Sequence, residues 1–286
     1  MMLSKGISPT MLKHLTGKTL TMPQYQTDDD ADLTGNDTNP FYDAVADDYS
    51  YFYRDWQATM EREGAALRRA FRDQGIKTVL DASCGVGTQS IPLARLDFEV
   101  TAVDPSPRML QKARENAATF GVAEDITFIT GDFLSLPRIM AVKFDALISK
   151  GNALPHLLTD DQIKTALKGF YDLLRPGGML VIGIRDFDSM LEDRPRFVPR
   201  QVHTEDPARD VILFDLWEWH DSDPVTVTFN TFIVSGKGDH YSARRYPVTY
   251  RALRREELEA LLGEAGFTQI KVERDVWELV FTAKRD

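Results

Sequence analysis

A strand that leads directly into a glycine-containing turn and a helix is the feature that most restricts the fold of this chain. The apolar run at residues 77–82 predicts the strand, Gly85 and Gly87 lie in the turn, and residues 88–96 have helical character. Glycine lets the backbone pass close to a ligand where a Cβ atom would collide, and the helix N-terminus adds partial positive charge. The segment therefore predicts a ligand-binding edge of an α/β sheet.

Short apolar strands alternate with helices along most of the chain. Ser106 and Pro107 begin a helix that Gly121 ends, and residues 253–265 form another. Strands that alternate with helices are typical of a parallel sheet covered on both faces. We therefore predict an α/β fold with a Rossmann-like, mostly parallel, seven-stranded sheet and helices on both faces. The six strands predicted after the first are at residues 99–103, 126–130, 144–149, 179–184, 270–272 and 277–282.

Two segments depart from this alternation. Residues 1–38 are polar and partly acidic, and we predict a flexible N-terminal arm there. Residues 186–250 contain two runs of strand character, 211–219 and 225–234, joined by a turn-rich segment. They predict a small antiparallel β insertion on the substrate side. The predicted main domain is formed by residues 39–185 and 251–286.

The composition limits which partners the protein is expected to bind and in which cellular compartment it is expected to lie. The chain has 286 residues and a net charge of −10, which disfavours non-specific binding to nucleic acid or to an anionic membrane. No apolar run reaches the roughly 18 residues of a membrane span, and the N-terminus lacks the apolar core of a secretory signal. The single cysteine, Cys84, has no partner for an internal disulfide. We predict a cytoplasmic protein that acts on a small molecule, and a homo-oligomer stays open.

Acidic residues follow successive strands at the same predicted edge. Asp104 ends the second strand, where a carboxylate can accept hydrogen bonds from both hydroxyls of a ribose. Asp132 follows the third strand and could accept from an adenine amine, while Phe133 covers the adenine face. Asp81, beside the glycine turn, would repel phosphate but suits a ligand ammonium or sulfonium. Because Ser90 replaces the third glycine of a dinucleotide fingerprint, a pyrophosphate is disfavoured.

With these residues, the chain resembles the class I S-adenosylmethionine-dependent methyltransferases. The resemblance rests on the Asp-Ala-Ser-Cys-Gly-Val-Gly turn at residues 81–87, on Asp104, on Gly131-Asp132 and on an Arg-Pro-Gly-Gly turn at residues 175–178. It implies S-adenosyl-L-methionine as the cofactor and an antiparallel last strand in the sheet. It implies Asp81, Ala82 and Gly85 at the methionine moiety, Asp104 at the ribose, and Asp132 with Phe133 at the adenine. We add Ser149, at the end of the fourth strand, to this cofactor set.

A narrower similarity concerns two segments that follow later strands. The Gly-Asn-x-x-x-His segment that contains Asn152 and the segment around Arg185 are similar to segments of glycine N-methyltransferases. The similarity implies that Asn152 and Arg185 hold the carboxylate of an amino-acid substrate, and an arginine at a strand end can form a bidentate pair with such a group. Here Ile184 and Asp186 replace the histidine and the asparagine that flank the arginine in that family.

Three tyrosines and one histidine complete the predicted site. The related enzymes cover the sulfonium with tyrosines from the start of the main domain, and we assign this role to Tyr42 and Tyr53. Tyr250 corresponds to a substrate-side tyrosine of the resembled family. His156 is a candidate proton acceptor, with a structural role as the alternative. The five histidines have no metal-ligand spacing, so no metal site is predicted.

These assignments predict a methyltransferase for a small amine, with glycine, sarcosine or a related amino acid as the substrate. Methyl transfer from a sulfonium needs an aligned neutral nucleophile and a site that excludes water, and it needs no covalent enzyme residue. Three alternatives remain open: a methyltransferase for another small metabolite or natural product, a cofactor-binding module without catalysis, and a nicotinamide-dependent oxidoreductase. A panel of acceptors separates the first two from the main hypothesis, and binding of S-adenosylhomocysteine separates the third.

Overall fold

The computed structural model describes residues 38–286, so the predicted N-terminal arm lies almost entirely outside the described residues. The helices are α1 (Asn39–Val45), α2 (Trp56–Phe71), α3 (Ser90–Ala94), α4 (Pro107–Thr119), α5 (Leu136–Ile139), α6 (Asp160–Leu173), α7 (Phe187–Asp193) and α8 (Arg255–Glu264). The strands are β1 (Thr78–Asp81), β2 (Glu99–Asp104), β3 (Ile126–Thr130), β4 (Phe144–Ser149), β5 (Leu174–Ile184), β6 (Phe197–His203), β7 (Asp210–His220), β8 (Thr226–Lys237), β9 (His240–Arg251), β10 (Phe267–Arg274) and β11 (Leu279–Arg285). In this part of the chain, no helix is long and apolar enough to cross a membrane.

Seven strands form one sheet in the order β10-β11-β5-β4-β1-β2-β3. The strands from β1 to β5 pair in parallel, whereas β11 pairs antiparallel with both β5 and β10. This arrangement confirms the predicted α/β fold and the antiparallel last strand. The strand order reverses between β1 and β4, and open α/β sheets bind ligands at the carboxyl ends of the strands next to such a reversal.

Local sequence features determine the turn after β1 and the start of the helix after β2, both of which lie at this edge. Gly85 and Gly87 have φ angles of +52° and +91°, which residues with a Cβ atom rarely adopt. A Cβ atom on Gly87 would also lie 2.8 Å from the Ile91 side chain. The helix after β2 begins as predicted, because the Ser106 hydroxyl accepts a hydrogen bond from the Met109 N–H at 3.0 Å.

The strands β6 to β9 form a second, antiparallel sheet in chain order. The predicted strands at residues 211–219 and 225–234 correspond to β7 and β8, whereas β6 and β9 were not predicted. Pro199 lies within β6 beside a register shift, and the first six residues of β9 are all exposed, so neither segment has a clear strand signal in the sequence. The small antiparallel insertion is confirmed as part of the fold class, while its bounds as a separate domain stay a prediction.

A shared apolar cluster holds the second sheet against the carboxyl edge of the first. Phe229 and Trp217 of the second sheet belong to the same cluster as Phe41 of α1, Val86 of the glycine turn and Met109 of α4. Two other clusters cover the faces of the larger sheet. Since the shared cluster includes Val86, the second sheet lies next to the loops that carry the predicted site.

Candidate active site

A cavity of about 510 Å³ lies at the carboxyl edge of the parallel strands. Loops after β1, β3 and β4, the end of β2 and the aromatic segment before β1 form its wall. Its volume falls within the range of about 300–1,000 Å³ found for cavities that enclose small ligands and cofactors. The predicted site residues that line it are Tyr42, Tyr53, Ala82, Gly85, Asp104, Asp132, Phe133 and His156.

Asp104 places a carboxylate in this wall with only 7% of the residue exposed. Its oxygens accept hydrogen bonds from the backbone N–H groups of Gly85 and Ser106, at 2.9 and 3.0 Å. Burial raises the pKa of Asp104 to about 6, although these two hydrogen bonds act in the opposite direction. Each carboxylate oxygen has a second lone pair, so Asp104 can also accept hydrogen bonds from ligand hydroxyls in the cavity.

Asp81 and Ser149 do not line the cavity but lie behind its wall. The Asp81 carboxylate accepts a hydrogen bond from the Ser90 hydroxyl at 2.6 Å and one from the Ser83 N–H at 3.4 Å. Burial raises the pKa of Asp81 to about 7. The Ser149 hydroxyl lies 3.1 Å from that of Ser83, which does line the cavity. Both residues support the turn from behind, and their direct contact with a cofactor stays a prediction.

The turn after β3 presents an acidic and an aromatic residue to the cavity. The Asp132 carboxylate accepts a hydrogen bond from the Ser135 N–H at 2.7 Å, which closes the turn. The Phe133 ring packs edge to face against Phe170 of α6, with ring centroids 5.4 Å apart. These contacts fix both side chains at the wall.

Tyr42, Tyr49 and Tyr53 line both the cavity and a second, smaller chamber, and we call these three residues the tyrosine partition. The Tyr42 hydroxyl lies 2.7 Å from His156 Nε2. Burial raises the pKa of each tyrosine in the partition and lowers that of His156 to about 4. The tyrosines therefore stay protonated at neutral pH and the imidazole stays neutral. With this pKa, His156 is a weak base, and its geometry favours positioning of Tyr42.

The smaller chamber has a volume of about 90 Å³. Three predicted substrate-side residues line it: Asn152, Arg185 and Tyr250. For comparison, a buried protein cavity that binds benzene has a volume of about 150 Å³. The chamber is therefore smaller than a cavity that holds benzene, and it suits only a small compound.

Asn152 and Arg185 are joined by a direct contact. The Asn152 side-chain oxygen accepts a hydrogen bond from the Arg185 backbone N–H at 2.9 Å. Asn152 has a φ of +65°, a left-handed conformation that asparagine adopts more readily than most residues. Its side-chain Nδ2 is buried and has no hydrogen-bond partner within residues 38–286. A buried donor without a partner in the protein leaves a hydrogen-bonding position that a ligand or a water molecule can fill.

The Arg185 guanidinium is a cation in the chamber wall without a carboxylate partner. Within the described part of the chain, no carboxylate oxygen lies within 4.0 Å of its nitrogen atoms. The guanidinium lies over the Phe229 ring, 5.4 Å from the ring centroid. Burial, followed by the nearby Arg200, lowers the pKa of Arg185, yet arginine remains protonated in proteins. An enclosed cation without an ion pair favours an anionic ligand.

Other charged residues that were not predicted also lie around the chamber. Arg200 of β6 lines the chamber and donates a hydrogen bond to Asp215 at 2.6 Å. Glu63 of α2 and Glu278 also line it, and Lys150 lies between their carboxylates. Of these residues, only Lys150 had a signal in the sequence, because it directly precedes the Gly-Asn segment. Within residues 38–286, no group of three or more potential metal ligands lies close together.

Comparisons with known proteins agree with this geometry. Residues 79–178 match the family model described as a methyltransferase domain. A glycine/sarcosine/dimethylglycine N-methyltransferase of Actinopolyspora halophila is 34% identical over 138 residues, which are 48% of this chain and 24% of that protein. A glycine/sarcosine N-methyltransferase of Aphanothece halophytica is 33% identical over 48% of this chain and 51% of that protein. The chain spans about half the length of the second relative and a quarter of the first.

Solved structures share the fold over most of the chain. The CcbJ methyltransferase from Streptomyces caelestis has a TM-score of 0.71 and 23% identity, and the alignment covers 87% of this chain and 99% of that one. The amino pentose methyltransferase CalS10 from Micromonospora echinaspora has a TM-score of 0.67 and 18% identity, with 85% and 97% covered. Together with the match of residues 79–178, these findings confirm the predicted resemblance to S-adenosylmethionine-dependent methyltransferases.

Proposed function

We propose, from the premise that residues 79–178 form a methyltransferase domain, that this chain methylates the amino group of glycine, sarcosine or an amino acid of similar size. The observation that carries the proposal is the Arg185 guanidinium, which has no carboxylate partner in the described chain and faces a chamber of about 90 Å³ together with the Asn152 amide. The names of the curated relatives, which specify glycine and sarcosine, support the same substrate class.

The cofactor is S-adenosyl-L-methionine, and the residues of the larger cavity fit it. A Cβ atom on Gly85 would meet no other atom within 4 Å, so the turn leaves open space above its backbone. Ala82 and Gly85 flank the space for the methionine moiety, Asp104 accepts from the ribose hydroxyls, and Asp132 with Phe133 flanks the adenine. When bound, the cofactor supplies a methyl group activated by a positively charged sulfur.

The chamber residues bind and orient the acceptor. The guanidinium of Arg185 and the Nδ2 of Asn152 donate hydrogen bonds to its carboxylate, so that the amine is directed toward the tyrosine partition. The aromatic faces of Tyr42 and Tyr53 exclude water and offset the desolvation of a nearby positive charge. The amine would lose one proton to solvent, and its lone pair would then be free to accept the methyl group that the bound cofactor would supply. Alignment and water exclusion are thus the main tasks of the protein.

A panel of acceptors tests the proposed substrate class. We expect the highest kcat/KM for glycine or sarcosine, with formation of S-adenosylhomocysteine as the readout. Valine and phenylalanine should be at least about tenfold poorer, because overfilling a packed site costs about 1–3 kcal/mol. Ethanolamine, which has the amine but no carboxylate, should also be poor.

Three other outcomes of the acceptor panel and of binding measurements would each contradict part of the proposal. A preference for large amines or for acceptors without a carboxylate would contradict the amino-acid substrate. Binding of S-adenosylhomocysteine without turnover of any acceptor would favour a non-catalytic module. Tighter binding of a nicotinamide nucleotide than of S-adenosylhomocysteine would contradict the cofactor.

We expect the affinity for S-adenosylhomocysteine to rise between pH 5 and pH 7. Because burial raises the pKa of Asp104 to about 6, its carboxyl group is mostly protonated at pH 5 and mostly ionised at pH 7. Only the ionised form accepts charge-assisted hydrogen bonds from the ribose. One pH unit below the pKa, about one tenth of the groups are ionised, so the Kd at pH 5 should be up to about tenfold higher.

Calorimetry at pH 5, 6, 7 and 8 measures this dependence. The Asp104→Asn variant cannot ionise at this position, so its weaker binding should lose most of the change with pH. Equal Kd values for the natural chain at pH 5 and pH 7 would show that Asp104 does not titrate in the ligand site.

A further inference from the structure

Glu63, Lys150 and Glu278 form a buried charge cluster at one wall of the acceptor chamber. The Lys150 ammonium lies 2.5 Å from the Glu63 carboxylate and 3.6 Å from that of Glu278. The three side chains are 6%, 3% and 13% exposed, in the same order as they are named. One cation between two carboxylates leaves one negative charge without a partner, and such a charge is costly inside a protein unless a ligand compensates it.

The position of Glu278 is tightly defined. One of its carboxylate oxygens accepts a hydrogen bond from the Gly151 N–H at 2.8 Å, in the residue that precedes Asn152. The other lies over Gly183 of β5, where a Cβ atom would come within 2.2 Å of it. Glu278 therefore lies against the backbone of both segments that carry Asn152 and Arg185.

Glu278 can accept a further hydrogen bond from a ligand, whereas Glu63 already uses more of its acceptor capacity within the protein. Glu63 accepts from Lys150 at 2.5 Å and from the Gln89 side chain at 3.3 Å. The distance of 3.6 Å between Lys150 and Glu278 is longer than a direct hydrogen bond. Burial, as the largest cause, raises the pKa of the Glu278 carboxyl, and Lys150 partly opposes this effect.

The chamber wall next to the second sheet has an excess of positive charge, whereas the cluster has an excess of negative charge. Arg200 is compensated by Asp215, whose carboxylate also accepts from the Thr231 hydroxyl at 2.7 Å. Arg185, which lies over Phe229 of β8, has no such partner in the described chain. The chamber therefore has, on this side, a positive charge without an ion pair and, at the cluster, one carboxylate more than its single ammonium pairs with; Arg185 and Glu278 attract each other only at longer range.

We propose that Glu278 binds the ammonium group of the acceptor while Arg185 binds its carboxylate. The inference rests on the proposed function and specifies how the same chamber recognises its substrate. Charges of opposite sign on two walls match a zwitterionic amino acid in one orientation and disfavour the reverse one. Compounds that lack either charged group leave one wall uncompensated and bind more weakly.

The test compares the binding of glycine and of acetate, which lacks the amino group, to protein saturated with S-adenosylhomocysteine. Calorimetry is applied to the natural chain, to Glu278→Gln and to Glu273→Gln, a matched control at an exposed position of β10. The natural chain and Glu273→Gln should prefer glycine over acetate by about 10- to 100-fold, because a hydrogen bond to a charged group is worth about 1.5–3 kcal/mol. Glu278→Gln should lose this preference through weaker glycine binding, with acetate bound equally or more tightly.

Two further measurements distinguish a failure of this inference from misfolding of the variant and from a failure of the proposed function. If Glu278→Gln fails to bind S-adenosylhomocysteine, Glu278→Asp replaces it; this variant keeps the charge on a shorter side chain and should retain only part of the preference. An unchanged ratio of glycine to acetate affinity in Glu278→Gln, or a full ratio in Glu278→Asp, would overturn the ammonium assignment and leave the proposed function intact. Failure of the natural chain to bind glycine would overturn both.

Discussion

Replacement of Asp104 by alanine is expected to weaken the binding of S-adenosylhomocysteine by about 100-fold or more. In the proposed complex, the Asp104 carboxylate accepts from both ribose hydroxyls, and each charge-assisted hydrogen bond is worth about 1.5–3 kcal/mol. The same carboxylate also accepts from the Gly85 N–H at 2.9 Å, so its loss loosens the turn beneath the methionine moiety. Calorimetry with S-adenosylhomocysteine measures the effect directly.

Two controls separate the ligand contact from a general loss of structure. Asp125→Ala removes an exposed acidic residue just before β3 and should leave the Kd unchanged. The Asp104→Asn side chain has the same shape and keeps one acceptor oxygen, so its Kd should lie between those of the natural chain and Asp104→Ala. A folded Asp104→Ala variant that binds within about threefold of the natural chain, a difference of roughly 0.7 kcal/mol, would exclude Asp104 as a ribose ligand.

Replacement of Arg185 by methionine is expected to raise the KM for glycine by about 100-fold or more and to leave the Kd of S-adenosylhomocysteine unchanged. A bidentate pair with a carboxylate contains two charge-assisted hydrogen bonds, each worth about 1.5–3 kcal/mol. Methionine keeps an apolar side chain against Phe229, so the packing of the chamber wall is largely retained. Steady-state kinetics with glycine and calorimetry with the cofactor product give the two values.

The same variant should unfold at a higher temperature than the natural chain in the absence of ligands. Arg185 is an enclosed cation without an ion pair in the described chain, so its removal relieves a desolvation cost. Arg185→Lys keeps the charge but lacks the planar fork, and we expect a KM between those of the natural chain and Arg185→Met. Unchanged kinetics with glycine in both variants would remove the amino-acid assignment.

The sequence predicted the larger sheet because each of its strands has a local signal. The run into Gly85 and Gly87 marked β1, and the Ser106 cap marked the helix after β2. The strands β6 and β9 were missed because Pro199 lies within β6 and because the first six residues of β9 are all exposed, although each strand pairs with its neighbour in the chain. Their positions depend on packing against β7 and β8, which is a tertiary effect.

The same difference between local and distant signals decided which residues of the candidate site could be predicted. Asp104, Asn152 and Arg185 could be predicted as site residues because they end strands or follow them closely, and they line the cavity or the chamber. Arg200 and Glu278 could not, because their roles depend on partners far away in the chain, such as Asp215 and the Gly151 N–H. The pKa of His156, about 4, depends on burial by surrounding rings, which a sequence pattern does not reveal.

The second sheet borders only one of the two spaces described above. It contributes Arg200, Phe229 and Tyr250 to the acceptor chamber, whereas none of its residues lines the larger cavity in the described chain. The methyltransferase match, residues 79–178, also includes none of its strands. If the proposed function holds, exchanges on β6 to β9 should change the choice of acceptor more than the affinity for the cofactor.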